Sequence, residues 1–88
     1  MTTPSLRELK ARAQKLRPVI RVGKAGLEPN LIQALDEALD QHGLVKVKLE
    51  AHKEQKKVFF QELAEQTQSR VVLAVGHTVT LWRASDPA

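Results

Sequence analysis

The chain has 88 residues, 42% hydrophobic and 27% charged, with a formal net charge of +4 at pH 7 and no cysteine. That is enough for one modest hydrophobic core and too little for two, so a single domain over residues 1–88 is expected, with its ordered core at about residues 4–84. The composition excludes disulfides and thiolate chemistry, and the lack of any long apolar run or apolar leader leads us to expect a soluble, cytoplasmic chain that does not engage a membrane.

The first element is signalled by Ser5-Leu6-Arg7-Glu8, which has the spacing of a capping box, followed by Leu6, Leu9, Ala13 and Leu16 at helical period. These predict a helix from about Ser5 to Leu16, ended by Arg17-Pro18 because proline disfavours helical geometry in the residue before it. At about 100° per residue Arg7, Lys10 and Arg17 align along one flank of the apolar stripe, with Arg12 and Lys15 on the other. Val19–Val22 is a β-branched run suited to a strand, and Gly23-Lys24-Ala25-Gly26 follows as a tight loop. Two glycines permit positive φ and close backbone approach. Lys24 sets a cation between them, and the loop leads into a helix N-terminus, where free N–H groups favour an anion. Phosphate is the expected anion.

Pro29 suits a first helical turn, Leu31, Ile32, Leu35, Ala38 and Leu39 keep the apolar period, and Gly43 is placed as a C-terminal cap, so a second helix spans Pro29 to His42. Leu44–Leu49 alternates with period two, a half-buried strand carrying Lys46 and Lys48 on its other face. A third helix from about Glu54 to Gln66 buries Phe59, Phe60 and Leu63. Lys53, Lys56 and Lys57 crowd its first turn against the macrodipole, which hints at a role other than stability. Val71–Val75 and Thr78–Arg83 form a hairpin turning at Gly76-His77. Helix-linked strands imply a parallel pair and the hairpin adds antiparallel partners, so the class is α/β in the broad sense, an α+β two-layer fold with a mixed sheet.

Charge alternates by element. Residues 1–26 hold seven Lys or Arg against Glu8, residues 27–43 hold four carboxylates and no Lys or Arg, and residues 44–60 hold five lysines against two glutamates. Clustered cations at a pI near 9.8 are an electrostatic footprint for a polyanion, against the plainer reading of a solvated basic surface. A nucleotide-binding P-loop is excluded, since its motif would need glycine at Pro18 and a hydroxyl residue at Ala25. His42, His52 and His77 are far apart and read as a helix-end, a loop and a turn histidine. No catalytic or metal motif stands out, and no enzyme activity, cofactor or small-molecule substrate is expected. Trp82 shares a sheet face with Val19, Leu44 and Val72 and with the cations Arg21, Lys46 and Lys48. It either stacks a base there or covers the sheet against the first helix, and the apolar company favours packing.

Three blocks, L-R-P-V-I-R-V-G-K-A-G-L (Leu16 to Leu27), L-V-K-V-K-L (Leu44 to Leu49) and V-G-H-T-V-T-L-W-R (Val75 to Arg83), resemble the CRM domain, the chloroplast RNA splicing and ribosome maturation domain, and more closely its bacterial stand-alone YhbY-like members. The resemblance implies an RNA-binding fold similar to the C-terminal domain of translation initiation factor three, with a four-stranded mixed sheet in the order 1-2-4-3. It also implies RNA contact at Gly23, Lys24 and Gly26, with Ala25 between them, and a role on ribosomal RNA in precursors of the large subunit. This chain departs from the family in having Glu28-Pro29 where a small hydroxyl residue opens the helix, and His77 where lysine is common. The expectation is a monomeric RNA-binding assembly factor docking through the first-helix cations, Arg21, Lys46, Lys48, Lys53, Lys56, Lys57 and the glycine loop. The competing expectation is a protein-interaction module using Asp36, Glu37 and Asp40 on the second helix.

Overall fold

The computed structural model describes residues 4–84 and runs α1 (Leu6–Ala13), β1 (Ile20–Val22), α2 (Pro29–His42), β2 (Leu44–Leu49), a 3₁₀ turn (Lys53–Gln55), α3 (Lys56–Gln66), β3 (Arg70–Val75) and β4 (Thr78–Trp82). Ser5 caps α1, its Oγ accepting the Glu8 N–H at 3.2 Å. The helix stops three residues short of Leu16. Lys15 and Leu16 donate instead to Arg12 and Ala13, a tightening to i→i+3 bonds as the chain prepares to pass Pro18. Arg17 therefore leaves the helical flank expected for it and belongs to the extended connector. α2 has the predicted limits because both punctuation marks act as read: Pro29 opens it, and Gly43 closes it at φ +74° with its N–H on the Leu39 carbonyl at 2.8 Å.

α3 ends at Gln66 as expected but begins two residues late, the first turn expected from Glu54 being 3₁₀. It is entered through His52 in the left-handed region (φ 57°) and a 3₁₀ turn, and left through Gln68, also left-handed (φ 53°), whose neighbour Ser69 donates to Ala64 at 2.8 Å. That 6→1 bond is the Schellman closure, made here without glycine.

The sheet order is β1-β2-β4-β3, with β1 parallel to β2 and the remaining pairs antiparallel. α2 makes the crossover between β1 and β2, and the predicted mixed sheet follows. Val22, Val45, Val47, Leu49, Val79 and Leu81 face α2 and α3, packing on Leu35, Leu39, Phe60 and Leu63. Each fully buried Leu or Val in this layer contributes about 1.5–3 kcal/mol over exposure. These two layers hold the main core. α1 crosses the opposite face at one end only, setting Leu9 and Ala13 on Leu44 and Val72, with Leu16, Leu73 and Trp82 around them. Trp82 is thus part of a packed cluster, the second of its two readings. A bulge at Val72 breaks the alternation of β3 and places Val72 and Leu73 in succession under α1.

Arg83 locks the end of β4 to both helices. Its guanidinium donates to the Asp36 carboxylate at 2.5 Å, the Asp36 carbonyl at 2.8 Å, the Thr67 carbonyl at 2.8 Å and Asp40 at 2.8 Å. The Asp36 hydrogen bond, with charge attraction from Asp36 and Asp40, outweighs desolvation and raises its pKa further. The Thr67 carbonyl lies just past the last turn of α3, where a cation also meets the negative end of the helix dipole.

Candidate nucleic-acid interface

Gly23–Gly26 closes as a four-residue turn, the Gly26 N–H donating to the Gly23 carbonyl at 3.0 Å. Only the second glycine uses its freedom. Gly26 is buried at φ +76°, while Gly23 stays outside the left-handed region and a Cβ built on it would meet nothing within 4 Å. Lys24 and Ala25 form the exposed tip, and among the described residues their N–H groups make no hydrogen bond.

The tip is braced from below by His52, which the sequence marks only as a loop histidine. His52 Nε2 lies 2.9 Å from the Lys24 carbonyl, which can only accept, so Nε2 carries the hydrogen. The ring stacks on Phe59, with centroids 5.1 Å apart and planes at 24°. Nothing in local spacing foretells this contact, because the partners are 28 positions apart.

Lys53 follows His52 directly and stands beside the tip. Behind it the uncovered part of the sheet face is basic. Arg21 is in register with Lys48 and Lys48 with Thr78, one row across three strands, and Lys46 pairs with Thr80 in the row below. Lys46 and Lys48 are half-buried, their stems lying on the sheet and their ammonium groups free to reach outward. From Leu44, under α1, to Leu49, beside the loops, β2 is about 17 Å long, so these cations bridge the glycine tip and the first helix. At the far end Arg7 and Lys10 are exposed on α1, and Arg17 is exposed on the connector.

Three expected cations are placed differently. Arg21 is paired with Glu50 at 2.8 Å, an exposed contact that any phosphate must compete with. Lys56 is half-buried and donates to the Gly76 carbonyl at 3.2 Å, tying α3 to the hairpin turn. That tether explains one of the lysines that crowd this turn, and stability is part of its work. Lys57 lines a cleft with Phe60, Gln61 and Val71 between α3 and β3, on the helix side of the sheet. At the start of α2, Glu28 occupies the cap position without a side-chain hydrogen bond, and its carboxylate is the wrong charge for an anion site. On the acidic helix, Arg83 engages Asp36 and Asp40, which leaves Glu37 with Gln33 alone. Among the described residues no group of three His, Cys, Asp or Glu gathers as a metal site. No helix among them is long and apolar enough to cross a membrane.

A four-stranded mixed sheet with two helices on one face, one helix across the end of the other and a glycine-lysine tip at the edge defines an α+β domain with one basic face. The chain belongs to the CRS1/YhbY (CRM) domain family, whose model matches residues 1–83. It is 34% identical over its full length to a Haemophilus influenzae protein named as an RNA-binding protein, covering 93% of that chain. Over 97% of its length it is 33% identical to a Bacillus subtilis protein named as a probable RNA-binding protein, covering 90% of it. The solution structure of a Staphylococcus aureus protein, described as a candidate RNA-binding protein, superposes with a TM-score of 0.79 at 29% identity, over 92% of this chain and 85% of that one.

Proposed function

We propose that this protein binds structured RNA, without chemistry of its own, and that its target is ribosomal RNA in precursors of the large ribosomal subunit. The observation carrying the proposal is the continuity of the basic face: Lys24 and Lys53 at the braced tip, Arg21, Lys48 and Lys46 along the open sheet, then Arg17 on the connector and Lys10 and Arg7 on α1. Family membership and the names of the relatives support RNA as the polyanion. Phosphates would follow the cations, and the free N–H groups of Lys24 and Ala25 would close on one of them. Such contacts position a protein without reading sequence, so selectivity rests on RNA shape and unpaired bases. The Arg83 contacts to Asp36 and Asp40 argue against the acidic helix as a docking face, since two of its three carboxylates already serve the fold.

Crosslinking in cells, followed by sequencing of the attached RNA and mapping of the crosslinked residues, tests this reading. Large-subunit ribosomal RNA joined at Lys24 and along the open face is expected. Protein crosslinks confined to α2, with no RNA recovered, would overturn it in favour of the interaction module.

A further inference from the structure

Between the end of α1 and the β1–β2 edge lies a cleft of about 410 Å³, within the size range of small-molecule sites. Its apolar surface comes from Leu16, Val19 and Leu44, and its rim from Arg12, Arg17, Lys46 and His42. Val19 is 62% exposed, the most exposed large apolar side chain among the described residues, and belongs to neither core cluster. Its N–H is nonetheless fixed to the Lys46 carbonyl at 3.1 Å, so the side chain is held in place without being covered. No carboxylate lines this cleft. The clefts beside α3, beside α2 and under the 3₁₀ turn are lined in part by Glu65, by Asp36 and by Glu50 with Glu54.

The aromatic inventory sharpens the point. Trp82 is packed beneath α1, and Phe59 and Phe60 lie on the far side of the sheet. The open face therefore offers no freely exposed aromatic ring, Trp82 being half-buried against the α1 cluster, and the exposed groups that can stack on a base are guanidinium planes and an imidazole ring. Arg12, Arg17 and His42 stand together at this cleft.

We infer that the cleft takes one unpaired nucleotide of the bound RNA, its base on Leu16, Val19 and Leu44 beneath the rim planes and its phosphate toward Lys46. This rests on the RNA-binding reading above and adds to it the element that a bulge or loop presents and a plain duplex lacks. The apolar floor suits an extruded base, and the three cations suit the charge that travels with it.

The test is a pair of RNAs, a fully paired hairpin and the same hairpin with one bulged adenosine, titrated against the full chain and two variants. The wild type should favour the bulged RNA. Val19→Ser should weaken that complex about three- to tenfold by removing the floor. It should leave the paired hairpin, the salt slope and the melting temperature unchanged, since no charge or core contact is lost. Arg17→Lys, which keeps the charge and removes the plane, should likewise narrow the preference. Equal affinity for both RNAs, or a Val19→Ser variant that keeps the wild-type preference, overturns the cleft while leaving RNA binding in place. Failure of the wild type to bind either RNA overturns the RNA reading itself.

Discussion

Replacing each tip glycine by alanine separates backbone strain from ligand contact. At Gly26 an alanine must adopt φ +76°, a left-handed conformation that costs an L-residue about 1–2 kcal/mol. Its Cβ would sit 3.9 Å from both His52 Nε2 and Phe59 Cε2, ordinary contact that adds no clash, so strain is the whole cost. For a domain of this size that is a fall in melting temperature of roughly 5–15 °C. At Gly23 the added methyl meets nothing within 4 Å and needs no unusual φ. Gly23→Ala should be neutral, or stabilising by up to about 1 kcal/mol through a less flexible unfolded chain. Urea unfolding of both variants measures the difference. Gly23→Ala is then a folded probe of the tip, and its affinity for structured RNA should fall at least as far as that of Lys24→Ala, because the methyl holds the backbone off the ligand. Equal destabilisation of the two variants would refute the conformational argument. A stable Gly23→Ala that binds RNA normally while Lys24→Ala does not would refute the backbone-approach mechanism and leave the loop as a support for one lysine.

Arg83→Ala should cost about 2 kcal/mol or more in urea unfolding, since it strips donors from the Thr67 and Asp36 carbonyls and leaves two carboxylates side by side; a loss under about 0.5 kcal/mol would show that these contacts are solvated in the free protein. Gln68→Gly should stabilise by about 1 kcal/mol by relieving a left-handed residue at the end of α3, which thermal melting will detect. RNA affinity should fall about a hundredfold between roughly 50 and 200 mM salt if four phosphates are neutralised, and Lys24→Ala should reduce the slope by about one; a flat salt response would sink the electrostatic mechanism. Lys57→Ala should leave RNA affinity unchanged by filter binding, because that side chain lies on the helix side of the sheet.

The sequence was most legible where local chemistry decides. α2 and β2 have their expected limits because proline, glycine and strict alternation leave one solution at those positions. It was least legible where a residue answers to a distant partner. Arg83 looked like the last residue of a strand, yet its four contacts lie 16 to 47 positions away. His52 looked like a loop histidine, and both its left-handed backbone and its hold on Lys24 depend on tertiary packing. The bulge at Val72 has the same origin, because a run of apolar residues does not say which one will step out of register. Among the site cations, alternation correctly put Arg21, Lys46 and Lys48 on one face. It could not say that Glu50 would reach Arg21, or that Lys57 would turn to the other side.

β1 contributes three residues to the ladder and lies at the sheet edge, while β4 is paired along its length on both sides. Opening free energy within one domain follows such differences. Amide protons of β1 should therefore exchange with solvent sooner than those of β4. If the tip takes RNA as proposed, occupancy would register as slowed exchange at Ile20–Val22.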